Sequence, residues 1–160
     1  MVSRELQHHK EIEEVIIHTG QHYDINMSNI FFEEMNIPAP KYNLGVSGGG
    51  HGSMTGRMMV ELEILFQKEL PQLLMVYGDT NSTLAAALVA RKLNIPIAHV
   101  EAGLRNFDMS IPEDVNRILT DRVSDLLFCP TDLAITNLEN EGFSRMPCKI
   151  IKTGDLMNDA

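Results

Sequence analysis

The chain has 160 residues, is 44% hydrophobic and 22% charged, and carries a formal net charge of −9. That is the size and balance of one globular domain able to bury a core. The acidity argues against nucleic acid as the main partner, because phosphate binding needs clustered Lys and Arg, although a basic pocket for a single nucleotide remains allowed. No run approaches the roughly 18 apolar residues of a membrane span, and MVSRELQHHK does not read as a signal peptide, so the expectation is a cytoplasmic protein with no membrane partner. The cysteines, Cys129 and Cys148, match no metal or redox spacing and read as buried thiols.

Residues 2–9 are polar and suit the tail of a short helix. The β-branched run 13–19 (EEVIIHT) reads as a buried strand that stops at Gly20, with a polar loop over Gln21 to Asp24. Asn26 or Ser28 caps a predicted helix carrying Ile30, Phe31, Phe32 and Met35, which ends before Pro38. A weak strand is expected over 43–46. After the glycine cluster 48–50, Ser53 opens a helix with Met54, Met58, Leu62, Leu65 and Phe66 on one face, closed by Pro71. Strands then follow at 73–78, 95–101, 126–129 and 149–154, alternating with helices over 80–93, 113–125 and 132–140, the second with Pro112 at its start. Strand–helix alternation with apolar strands predicts an α/β fold, a doubly wound parallel sheet.

Two apolar strands end abruptly in a carboxylate, Asp79 and Glu101, and Glu113-Asp114 opens the next helix. Carboxyl ends of neighbouring parallel strands lie side by side, so these acids are placed to share one pocket. Each has a plainer role. Asp79, Thr80 or Ser82 can cap a helix. Glu101 is either desolvated, as a general acid or base requires, or paired with a cation that pins its loop, Arg105 being the nearest candidate. Glu113 and Asp114 suit the positive end of a helix dipole, while Asn116 and Arg117 in the same turns suit a ligand-facing helix end. His22 and His51 lie in glycine-flanked loops on the ligand side. The segment 48–52 lacks both P-loop and dinucleotide glycine spacing.

TGQHYD (19–24), VYGDTNST (76–83), HVEAGLR (99–105), PEDVNRILTD (112–121) and TGDLMNDA (153–160) resemble the non-hydrolysing UDP-N-acetylglucosamine 2-epimerases. HYD after Gln21 and the loop NFDMSIPED resemble most the subgroup acting on UDP-2,3-diacetamido-2,3-dideoxyglucuronate in surface-polysaccharide synthesis. The resemblance implies two Rossmann-like domains in the glycosyltransferase-B arrangement, with a UDP-sugar held between them. It implies inversion at C2 by elimination of UDP to a 2-acetamidoglucal and re-addition, with no cofactor and no metal. It places catalytic acids at Asp79, Glu101 and Glu113, and substrate-binding residues at Gln21, His22, Arg105 and Arg117.

The resemblance also implies a first strand with a glycine-arginine-proline turn upstream of residue 2, and a second domain beyond residue 160. Residues 1–160 are therefore expected to be an N-terminal Rossmann-like domain, weakly active or inactive alone. In the strand order 3-2-1-4-5-6 the strands at 13–19 and 73–78 would flank a gap, each with an unpaired edge. A homodimer or a chain supplying a second domain is the expected partner. The other reading is a non-catalytic nucleotide-sugar or partner-binding module, or one half of a split enzyme. A glycosyltransferase of the same architecture fits the fold but not the acid constellation.

Overall fold

The computed structural model describes residues 2–20 and 38–155. Helix α1 (Val2–Leu6) leads to strand β1 (Ile17–His18), which pairs in parallel with β2 (Tyr42–Asn43). The long helix α2 (His51–Glu69) follows. Next come β3 (Leu74–Tyr77), α3 (Asn81–Lys92), β4 (Ile97–Val100), α4 (Pro112–Val123), β5 (Leu126–Cys129), α5 (Asp132–Asn140), a 3-10 turn (Phe143–Arg145) and β6 (Lys149–Lys152). Strands β3 to β6 form a four-stranded, all-parallel sheet in sequential order. The α/β expectation holds. The helix expected over 26–35, and with it Gln21 and His22, lies outside the described residues.

Local chemistry sets the boundaries. Helix α2 ends where Leu70 turns left-handed at φ 50°, its N–H closing on the Phe66 carbonyl at 2.9 Å, and Pro71 prevents continuation. Thr80 and Thr131 cap α3 and α5 by accepting the N–H groups of Thr83 and Ala134. Pro112 opens α4 at a position where no N–H is needed. Ladder pairing in β1 and β2 is shorter than the apolar runs suggest, and β2 begins one residue earlier than expected.

Two apolar clusters make the core. In the first, Met58, Leu62 and Phe66 of α2 pack on Val76, Ile97 and the alanine face of α3, with Ile17 and Leu44 at its border. Ala85, Ala87 and Ala90 are fully buried, and their small side chains let α3 pack against α2 and α4. The second cluster gathers Leu127, Cys129, Ala134, Leu138 and Phe143 between β5, α5 and the 3-10 turn. That turn has no periodic signal; Phe143 forms it by burying its ring, with the Arg122 guanidinium 4.4 Å from the ring centre.

Among the described residues β1 hydrogen-bonds only to β2, and β3 only to β4, so a seam without ladder bonds lies between the two sheets. A cavity of about 250 Å³ occupies this seam, lined by Val15, Ile17, Thr19, Leu74, Val76 and Tyr77 among others. Helix α2 holds the two sheets together from one side. At the carboxyl end of the seam a Thr19–Ser82 hydroxyl contact of 2.6 Å spans it.

Candidate active site

The carboxyl ends of β3 and β4 bring the first two predicted acids together. Gly78, at φ 64°, turns the chain after β3 and donates its N–H to the Val100 carbonyl at 3.0 Å, which ties the two strand ends. The Glu101 carboxylate lies over this glycine: a β-carbon on Gly78 would stand 3.8 Å from Glu101 Oε2. Glu101 itself is left-handed at φ 68°, a conformation costing a non-glycine residue roughly 1 kcal/mol or more and found preferentially at functional sites.

Arg117 joins the two acids. Its Nη2 lies 2.7 Å from Asp79 Oδ2 and 3.6 Å from Glu101 Oε2. The Arg117 side chain is 9% exposed, whereas Asp79 and Glu101 keep 27% and 31% of their side-chain surface. A buried cation thus stands behind two carboxylates that open to solvent. Arg117 Nε is buried with no hydrogen-bond partner, so the acids rather than the surrounding core fix the guanidinium. Beside it, the Asn116 amide donates to the Asp79 carbonyl (2.9 Å) and to Asn81 Oδ1 (3.2 Å). The Asn81 amide meets His51 Nδ1 at 3.1 Å, so His51 buttresses the start of α3 from the start of α2.

Glu113 occupies the first turn of α4, four residues before Arg117, with its side chain exposed. Its neighbour Asp114 is fully buried and accepts the backbone N–H groups of Asn106 and Asp108 at 3.0–3.1 Å. Asp114 therefore shapes the loop ahead of α4, and Glu113 is the acid of the pair that faces outward.

Arg105 requires a correction. It does not pair with Glu101, and no face of its side chain is open to a substrate. The guanidinium is fully buried, 2.7 Å from both Asp121 Oδ2 and Glu141 Oε1. Burial by itself pulls its proton affinity down, but Glu141 and Asp121 more than offset this and raise it, so it stays charged. Its role is to anchor the loop after β4 to α4 and α5.

The structure adds Thr120 and Asp121 to the polar residues already singled out on α4. Helix α4 buries Asp114, Asn116, Arg117, Thr120 and Asp121. An inward stripe of charge at positions 114, 117 and 121 is the reverse of an amphipathic surface helix. His99, the first residue of the motif at 99–105, is fully buried in β4. Among the described residues no group of three His, Cys, Asp or Glu side chains could hold a metal ion. No helix there is long and apolar enough to cross a membrane.

The chain thus presents a parallel α/β sheet with paired carboxylates around an arginine at its strand ends, and comparison with known proteins assigns it to a family. The sequence model described as UDP-N-acetylglucosamine 2-epimerase matches residues 4–160, and the chain belongs to that family. It is 58% identical over 160 residues to the UDP-2,3-diacetamido-2,3-dideoxy-D-glucuronate 2-epimerase of Pseudomonas aeruginosa, covering all of this chain and 45% of that one. It is 54% identical over 145 residues to a UDP-N-acetylglucosamine 2-epimerase of Methanocaldococcus jannaschii, covering 91% of this chain and 39% of that one.

Among solved structures, the M. jannaschii UDP-GlcNAc 2-epimerase in complex with UDP-GlcNAc and UDP superposes with a TM-score of 0.93 at 51% identity, over 99% of this chain and 43% of that one. The Neisseria meningitidis UDP-GlcNAc 2-epimerase bound to UDP-GlcNAc gives 0.88 at 32% identity, over 96% and 41%. The chain thus spans less than half the length of these relatives.

Proposed function

We propose that this chain supplies the N-terminal wall of a UDP-sugar 2-epimerase site, in a protein that inverts C2 of UDP-N-acetylglucosamine or of a diacetamido-uronate analogue. The observation that carries the proposal is the Asp79–Arg117–Glu101 cluster: two solvent-facing carboxylates at adjacent strand ends, held by one buried cation. The C2 proton of the sugar is weakly acidic, so a positioned carboxylate must take it while the C1–O bond to UDP breaks. The product pair is a 2-acetamidoglucal and UDP. Re-addition returns a proton to the opposite face of C2 as a UDP oxygen attacks C1. Two faces call for more than one acid, and Asp79, Glu101 and the outward-facing Glu113 are proposed to share these steps. The net reaction is redox-neutral.

The 58% identity to the P. aeruginosa relative supports the diacetamido-uronate as substrate, in surface-polysaccharide synthesis. The domain reading is likewise a proposal: residues 1–160 as a Rossmann-like half of a glycosyltransferase-B arrangement, completed by a second domain. The test is deuterium incorporation at C2 in deuterated water, with UDP-N-acetylglucosamine and UDP-2,3-diacetamido-2,3-dideoxyglucuronate as substrates, with and without a chain supplying a second domain. Exchange into the diacetamido sugar in preference to the other is the expected result. Absence of exchange from both sugars, even with a second-domain chain present, rejects the reading.

A further inference from the structure

His99 has no exposed surface. Its Nδ1 lies 2.6 Å from Asp121 Oδ1, and its Nε2 lies 2.8 Å from the carbonyl oxygen of Gly78. Both neighbours are acceptors. A neutral imidazole has one N–H and one lone pair, so it can satisfy only one of them. Both contacts are made in full when the ring carries two N–H groups, or when His99 and Asp121 share the additional proton. The other Asp121 oxygen accepts the backbone N–H of Gly103 at 3.1 Å and pairs with Arg105 at 2.7 Å. Arg105 continues to Glu141, whose carboxylate is 4.0 Å from the half-exposed Arg122.

One continuous path therefore joins the two acid-bearing turns. It runs from the carbonyl of Gly78, beside Asp79, through His99 and Asp121 to the N–H of Gly103, two residues beyond Glu101. Gly103 has no room for a side chain, since a β-carbon there would stand 2.4 Å from the Ala134 carbonyl oxygen, so its backbone packs directly on α5. Glu101, strained at φ 68°, is held between this clamp and β4.

We propose that His99 is a positioning residue, a doubly donating clamp that fixes the turn of Asp79 against the turn of Glu101 so that both carboxylates keep their places about Arg117. What the carboxylates then do rests on the epimerase reading; the clamp rests on the contacts themselves.

Three measurements on the full chain decide it. Nitrogen-15 spectroscopy of ring-labelled histidine, with the His99 signals assigned by their loss in H99Q, is expected to show two directly bonded protons on the His99 ring at neutral pH. A ring with one bare nitrogen and no proton on the Asp121 oxygen that faces it overturns the clamp. In H99Q the side-chain amide must turn its oxygen toward either Asp121 or the Gly78 carbonyl, so one link of the path is lost and the Gly103 amide should exchange with solvent at least about tenfold faster, while amides of α5 stay as they were. Adding D121N restores the order of donors and acceptors along the path, and H99Q/D121N should recover slow Gly103 exchange. Failure of the double variant to do so overturns the proposal, because a merely space-filling histidine would gain nothing from the second change.

With UDP-N-acetylglucosamine, C2 exchange in H99Q is expected to fall through kcat with KM little changed. Equal rates in H99Q and the parent overturn the clamp. A parent chain that exchanges C2 of neither sugar, even with a second-domain chain present, rejects the epimerase reading instead, and the ring and amide measurements still decide the clamp.

Discussion

Asp79 and Glu101 are each about one-third exposed and share Arg117, so removing either charge costs stability only about 1 kcal/mol. A proposed acid–base role predicts a larger effect on chemistry. D79N and E101Q are expected to slow C2 exchange by about 10²–10⁴-fold while melting temperature shifts by only a few degrees. A loss of exchange that tracks loss of fold, or no loss at all, assigns them a structural role. R117M should behave differently: it leaves two neighbouring carboxylates without their shared cation, so both exchange and stability should fall.

Cys129 makes a second prediction at this scale. Burial first, and then the negative charge of Asp121, push its thiol from 9.0 up to about 12, with Arg105 opposing. The folded chain thus holds this proton more tightly than the unfolded chain. The stability it contributes is complete below about pH 9 and is lost as pH rises from 9.0 toward 12. A chromogenic thiol reagent at pH 8 should leave native Cys129 unmodified and react with it promptly after denaturation. Rapid native labelling would show that the thiol is reached from solvent.

At the scale of elements, α2 has an inner and an outer stripe. Met58, Leu62 and Phe66 are at most 2% exposed, while Val60 and Ile64 are 59% and 58% exposed. Truncating Leu62 to Ala should destabilise by about 2–5 kcal/mol, the usual cost of a cavity in a packed core, read from chemical denaturation. V60K/I64K should change stability by no more than about 0.5 kcal/mol per site. If α2 pairs two copies of the chain, the same double variant shifts the sedimentation coefficient to that of a monomer. Unchanged sedimentation assigns the stripe no part in assembly.

The elements from β3 to β6 were legible because each apolar run is bounded by Gly, Pro or a capping hydroxyl. The polar interior of α4 was not, because hydrophobic periodicity registers apolar faces. A helix that buries Asp114, Arg117 and Asp121 looks solvent-facing until its partners Asp79, His99 and Arg105 are in place.

For the whole molecule, the chain spans less than half the length of its relatives. The proposed site has one wall here. Coexpression with a chain supplying a second domain is expected to raise C2 exchange by at least about tenfold, through added contacts to the nucleotide and exclusion of water. An unchanged rate speaks against a split enzyme. Calorimetry with UDP tests the plainer role of a nucleotide-sugar-binding module, and absence of any binding removes it.

The sequence alone determined the strand–helix alternation, the strand ends carrying Asp79 and Glu101, and the family motifs around them, because these depend on periodicity, capping and short-range order along the chain. Only the tertiary structure decided which cation each carboxylate meets. Arg105 is four residues from Glu101, yet its guanidinium turns inward to Asp121 and Glu141; Arg117, sixteen residues on, reaches both acids. Pairing of buried charges is set by where the parallel strands and α4 converge, and separation along the chain carries no information about that. The same convergence places His99 between Asp121 and Gly78, so the turns bearing the two acids are joined through groups that no local pattern connects.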